Sequence, residues 1–144
     1  IDKHDEFLNA YTDEGIVLCK WDFSLQNWLP FDDGSMDVVT MLAVFEHIEP
    51  GLIPKLISEV RRVLKQKGTY ILTVPAGWTD PFLKLMSACG FLSALEVYDH
   101  KDVYNRTKLI DLLEKGGFTR SGIESGYFEM GMNIWVRANK ILST

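Results

Sequence analysis

The stretch Leu29-Pro30-Phe31-Asp32-Asp33-Gly34-Ser35-Met36-Asp37-Val38-Val39-Thr40-Met41-Leu42 turns on two acids, a glycine and a serine, then becomes almost unbroken in apolar character. A second run of the same kind, Gly68-Thr69-Tyr70-Ile71-Leu72-Thr73-Val74-Pro75, follows some way on. Near-continuous, β-branched-rich runs suit parallel strands covered on both faces, and the spans 37–42 and 69–74 are read as such strands. Between them Leu52, Ile53, Leu56, Ile57, Val60, Val63 and Leu64 recur at spacings of three and four, which makes one helical stripe. Pro54 is tolerated only in the first turn of that helix. Lys65, Lys67 and Gly68 read as its basic C-terminal end with a glycine stop. Strand, helix, strand at this spacing is a βαβ unit with a right-handed crossover.

Outward from that unit, Ile16-Val17-Leu18-Cys19 is a short apolar run, read as a strand. A helix is expected over 80–92. Another starts near Thr107, taken as its N-cap, carries Leu109, Ile110, Leu112 and Leu113, and ends at Gly116-Gly117. Residues 118–126 read as a strand and 131–138 as a second. The last alternates, with Met132, Ile134 and Val136 facing one way and Asn133, Trp135 and Arg137 the other, as in a half-exposed or antiparallel strand. The architecture is therefore α/β, in one domain spanning 1–144.

Bulk properties narrow the function classes. Twenty acids against fifteen bases leave a net charge of −5, without the basic excess by which a domain grips nucleic-acid phosphates. No apolar run is long enough to span a bilayer, and no leader is visible. The two cysteines, Cys19 and Cys89, sit in apolar company and read as buried free thiols, so the reducing cytoplasm is the default compartment. No metal-ligating set is assigned.

The order acidic residue, Leu-Pro-Phe with two acids, buried strand, Phe45-Glu46-His47-Ile48, amphipathic helix ending Arg61-Arg62-Val63-Leu64-Lys65, buried strand ending in proline resembles the class I S-adenosylmethionine-dependent methyltransferases of the small-molecule type. Each piece is common, and the weight lies in their order across most of the chain. The resemblance implies a Rossmann-like, mostly parallel sheet flanked by helices, whose last strand is antiparallel and inserts between the fifth and sixth. One hallmark departs: no Gly-x-Gly loop occurs. Ile1-Asp2 opens as if at the end of a strand, with 5–10 as the following helix. The expectation is a domain incomplete at its N-terminus, lacking about 30 residues of a first strand-helix unit.

The family comparison also assigns roles. Asp2 matches the acid that accepts from the ribose diol, a task two carboxylate oxygens can perform. Asp22 matches the acid that accepts from the adenine amine, and Phe23 the residue lining the ring; a turn or helix cap is the competing reading of Asp22. Trp21 or Trp28 could cover the adenine face or be ordinary packing. Met41, Leu42 and Ala43 end the strand where the family turns backbone groups toward the methionine end of the cofactor. His47 matches a histidine near the cofactor pocket, with helix packing as the alternative. His100, in Tyr98-Asp99-His100, lies where relatives approach the substrate. Imidazole titrates near neutrality, so it is the candidate base, against a plain loop histidine. Asp37 and Gly117-Phe118 read as structural.

The expected activity is methyl transfer from S-adenosylmethionine to a small-molecule acceptor, with the acceptor pocket within 76–104. The alternatives are a degenerate or truncated domain kept for protein interaction, and a nicotinamide-dependent oxidoreductase on a similar sheet. The Glu46-His47 pair and the alternating last strand speak against the oxidoreductase. An incomplete sheet leaves backbone groups and apolar faces open, so this chain is expected to bind cofactor weakly or not at all, with a homodimer as one way to cover them.

Overall fold

The computed structural model describes residues 21–79 and 103–141. The expected elements at 5–10, 16–19 and 80–92, together with Asp2, Cys19, Cys89 and His100, lie outside the described residues. The elements in chain order are α1 (Phe23–Gln26), β1 (Met36–Leu42), α2 (Ile53–Val63), β2 (Leu64–Pro75), α3 (Arg106–Lys115), β3 (Ile123–Phe128) and β4 (Asn133–Asn139). The described strands form one sheet in the order β1-β2-β4-β3. β1 and β2 are parallel, with Met41 opposite Leu72 and Leu42 opposite Thr73. β4 runs antiparallel to both neighbours. The parallel pair and the antiparallel strand inserted between β2 and β3 are as expected.

One face of the sheet carries the core. Tyr70, Leu72 and Val74 of β2 and Ile134, Val136 and Ala138 of β4 are fully buried. Against them pack Leu56, Ile57 and Val60 of α2 and Leu109 and Leu113 of α3. Each such aliphatic side chain contributes about 1.5–3 kcal/mol by leaving water. The stripe foreseen in α2 is therefore the stripe that is buried. The expectation of cover on both faces is corrected for β1: Val38 is 52% and Leu42 57% exposed. Side chains alternate across a strand, so these two share the face turned away from Leu72 and Val136. A continuous apolar run cannot by itself say that both faces are covered.

Three boundaries also move. The α2 helix stops at Val63, and Leu64 turns to extended backbone while its N–H still reaches Val60 O. The left-handed residue that follows is Lys67 (φ 66°), not Gly68. Gly68 is needed for space, since a Cβ there would lie 2.9 Å from Lys65 O and 3.1 Å from Asp37 O. α3 is capped by Asn105, whose side-chain oxygen accepts from Lys108 N at 2.9 Å, so Thr107 already lies inside the helix. Its far end closes with Gly117 N donating to Glu114 O and Phe118 N to Leu113 O, both 3.0 Å. Gly117 at φ +96° supplies the left-handed turn this closure needs. That ties Phe118 to the helix and delays β3 to Ile123.

A polar clamp holds the long segment before β1. The Arg62 guanidinium donates to Glu59, to Asp33 Oδ1 (2.6 Å) and to the carbonyls of Leu29 (3.0 Å) and Phe31 (2.9 Å). Glu59, itself buried, also accepts from Leu29 N at 3.0 Å. Burial pushes the Glu59 carboxyl up, but the Arg62 hydrogen bonds, the Leu29 N–H and the charges of Arg62 and Lys55 more than offset it and hold the group below its ordinary value. Asp37 pairs with Lys65 at 2.7 Å on the surface, in keeping with a structural role.

Candidate functional site at the strand ends

In an open α/β sheet, ligands bind beyond the carboxyl ends of the parallel strands. Here that rim begins at Leu42 and Pro75. Beyond Leu42 the chain turns through Ala43, which is left-handed at φ 52°. Its N–H is held by Thr73, 3.2 Å from both the carbonyl oxygen and the side-chain hydroxyl. A non-glycine residue adopts this conformation only where its surroundings impose it. Leu42 and Val44, on either side, are exposed apolar side chains. The chain then makes a short 3-10 turn, Phe45–His47, with Phe45 fully buried, Glu46 buried and His47 half-buried.

Phe45 links this turn to the second half of the rim. Its ring meets Tyr104 edge-on, with centroids 5.3 Å apart. Tyr104 in turn lies along the chain leaving β2. Ala76 and Tyr104 form an isolated parallel bridge, and Gly77 N donates to Tyr104 O at 3.0 Å. Only a glycine fits there, because a Cβ on Gly77 would lie 2.5 Å from Val103 Cγ1 and 3.1 Å from Tyr104 O. The turn between β3 and β4 closes the far side: Ala76 N donates to Met132 O at 2.8 Å, and Trp78 Nε1 to Gly131 O at 3.0 Å. In that turn Glu129, Met130 and Gly131 all have positive φ (50°, 55° and 86°). A hollow of about 350 Å³ results, walled by Trp78, Val103, Tyr104, Asn105 and Tyr127 over Gly77.

A larger hollow, about 460 Å³, lies at the other end of the sheet beside Lys67, Asn139 and Lys140. There Lys140 Nζ donates to Leu64 O (2.6 Å) at the end of α2, so its ammonium closes a helix terminus. Desolvation, reinforced by the charge of Arg61, lowers its affinity for a proton. It is remote from the strand ends where chemistry is placed.

The residues expected at the site are thus distributed as follows. Met41, Leu42, Ala43 and His47 stand together at the end of β1. Met41 also receives the Tyr70 hydroxyl on its sulfur at 3.5 Å, and burial pushes the Tyr70 phenol well up. Asp22 caps α1, its Oδ1 accepting from Ser24 N (2.9 Å) and Ser24 Oγ (2.6 Å). Phe23 is buried in the core that also holds Phe45. Trp21 and Trp28 pack edge-on against each other at 4.5 Å, and Trp21 Nε1 donates to Trp28 O. Thr73, Asn105 and Tyr127 were not singled out from the sequence. Thr73 left one trace, a hydroxyl within an apolar strand; Tyr127 left none. Among the described residues no group of histidines, cysteines and carboxylates could hold a metal ion, and no helix is long and apolar enough to cross a membrane.

A family model described as "Methyltransferase domain" matches residues 6–72. No curated protein matches the chain in sequence. Among solved structures, a SAM-dependent methyltransferase of Thermotoga maritima aligns with TM-score 0.60 at 20% identity, over 79% of this chain and 60% of its own. One from Archaeoglobus fulgidus aligns with TM-score 0.67 at 15% identity, over 89% and 70%. A Haloferax volcanii methyltransferase, solved in complex with a methyltransferase activator, aligns with TM-score 0.69 at 15% identity, over 92% and 66%. The chain therefore spans about three fifths of the Thermotoga protein's length. Together with the sheet order, these likenesses show the class I S-adenosylmethionine-dependent methyltransferase fold.

Proposed function

From the class I methyltransferase fold of this chain, we propose that it serves S-adenosylmethionine-dependent methyl transfer to a small-molecule acceptor. The observation that carries the reading is the Ala43 turn. It stands at the carboxyl end of a parallel strand, is held by the neighbouring strand through Thr73, and is joined through Phe45 and Tyr104 to a hollow at the end of β2. Donor and acceptor would thus lie side by side along one rim, as an in-line transfer requires.

The residues present suit the cofactor. Exposed Leu42 and Val44 offer apolar contact at the strand end. Because Thr73 takes the Ala43 N–H, this turn would present carbonyl oxygen, which suits the ammonium of a methionine moiety. His47 would border the same turn. Asp22, which caps α1, remains the proposed acceptor for the adenine amine, with Phe23 beside it in sequence as the proposed ring-lining residue. Asp2 remains the proposed ribose acceptor and His100 the proposed base; both lie outside the described residues.

When bound, the cofactor supplies a methyl group on a cationic sulfur, already activated for displacement. The protein's task is then alignment and exclusion of water. The buried Phe45–Tyr104 pair keeps the two halves of the rim in fixed relation. A base is needed only for an acceptor atom that still holds its proton at working pH.

Calorimetric titration of the longest natural chain containing these residues, with S-adenosylhomocysteine and separately with NAD, tests the proposal. Micromolar binding of the first and none of the second is expected. Binding of NAD, or of neither, would overturn it.

A further inference from the structure

We propose that the hollow at the end of β2 seats a planar, conjugated acid, held by its flat body and by its carboxylate. Its role as the acceptor seat rests on the methyl-transfer reading above; the ligand class rests on the residues around it.

The flat body follows from the walls. Trp78 (59% exposed) and Tyr127 (52% exposed) leave large ring surfaces open to solvent, while Tyr104 is buried behind them. Trp78 is not free to swing, because its indole N–H is fixed on Gly131 O at 3.0 Å. Gly77 keeps the floor open, and any side chain there would meet Val103. Rigid aromatic walls around a volume near the lower end of the small-molecule range favour a flat ligand that stacks.

The carboxylate follows from the charges. Arg106 sits with its guanidinium carbon 5.6 Å from the Tyr127 ring centre, and Lys108 with its ammonium 4.9 Å from the Tyr104 ring centre. Arg106 is oriented by Ser125, Nε to Oγ at 3.1 Å and Nη2 to the carbonyl at 2.9 Å. Lys108 Nζ donates to Val103 O at 3.2 Å. Among the described residues no carboxylate pairs with Arg106. In a chain with a net charge of −5, Arg106 over Tyr127 sets a positive charge beside one wall of the hollow, and Lys108 is a second cation beside the Tyr104 ring. Both also stand in the first turn of α3, which holds no acid, so the helix dipole opposes them rather than explaining their presence.

The test compares 2-naphthoate, 2-naphthamide and acetate by calorimetry and ligand-observed NMR at neutral pH, without cofactor. Naphthoate is expected to bind about fivefold or more tighter than its amide, and acetate not measurably, since neither the ring nor the charge suffices alone. Added salt should shrink the gap between acid and amide. Arg106→Gln should bring the two within about twofold, and Trp78→Ala should weaken both about tenfold. Equal binding of acid and amide, a gap indifferent to salt, or a folded Arg106→Gln protein that keeps the full preference would overturn the proposal. So would failure of naphthoate to bind the wild type. The salt arm needs no variant to fold. Because no probe requires the cofactor, loss of S-adenosylhomocysteine binding with naphthoate retained would sink the methyl-transfer reading alone, and the reverse pattern would sink only this one.

Discussion

Arg62 and Glu59, one turn apart on α2, form a bidentate pair with Nη2 and Oε2 2.9 Å apart. The same two side chains take both the N–H and the C=O of Leu29. A helix-surface pair thereby becomes the anchor for a segment some 30 positions away in sequence. Buried acids are tolerated only when fully partnered, and this one is.

Glu59→Gln keeps the volume and removes the charge, leaving Arg62 only its more exposed ion pair with Asp33. A loss of about 2 kcal/mol is expected. Lys55→Gln, which removes only the exposed 3.6 Å pair to Glu59, should cost no more than about 0.5 kcal/mol. Urea unfolding of the three proteins at pH 7 decides whether the clamp or surface charge holds the segment.

The Glu59 carboxyl lies below its ordinary value of 4.5 in the folded chain. A depressed acid contributes stability that is fully present above the unfolded value and is lost as pH falls through the folded one. Stability should therefore decline below about pH 4.5, and Glu59→Gln should decline less steeply there. Unfolding midpoints measured between pH 7 and pH 3 provide the check; parallel curves would refute the assignment.

Thr73→Val preserves shape and β-branching but removes the hydroxyl that holds Ala43 N–H. The backbone carbonyl of Thr73 still accepts from that amide, so fold stability should change by about 1 kcal/mol or less. Affinity for S-adenosylhomocysteine should fall about threefold to tenfold if the Ala43 turn holds the cofactor. Thr73→Ser should retain it. Unchanged affinity in the valine variant would remove this turn from the cofactor site.

Gly116 and Gly51 separate packing from propensity. A Cβ on Gly116 would overlap Ile57 Cγ2 and lie 2.8 Å from Ile57 Cβ, whereas one on Gly51 meets nothing within 4 Å. Gly116→Ala should cost about 1–3 kcal/mol through overpacking of the α2–α3 contact. Gly51→Ala should stay within about 0.5 kcal/mol. Thermal melts of both variants test the pair.

Much of the fold was legible because periodicity is a local signal. The stripe from Leu52 to Leu64, the runs of β1 and β2, and the alternation of Ile134 and Val136 each name their own structure within a few residues. The Gly116-Gly117 pair likewise marked the end of α3. Boundaries that moved did so through contacts the sequence does not display. Asn105 rather than Thr107 took the cap, and Phe118 folded back onto Leu113 before β3 could begin.

The candidate site was legible only in part. The turn after β1 was located because strand ends bind ligands in such sheets, and Asp22 was suspected of being either ligand or cap. Its capping contact to Ser24 is local, yet only coordinates display it. Nothing marked Tyr127, because its partners are Arg106, 21 residues earlier, and the wall across from it.

The order of residues by itself determined the α/β class and the βαβ unit, since each follows from the spacing of apolar side chains along a few turns of chain; that the last strand is antiparallel was implied by the family resemblance, its alternation fitting a half-exposed strand equally well. Tertiary structure alone decided that Glu59 is buried under Leu29, that Thr73 holds Ala43, and that Trp78, Tyr104 and Tyr127 share one hollow. Those are pairings across 23 to 49 residues between positions with no sequence rhythm in common, and only the packing of the sheet brings them together.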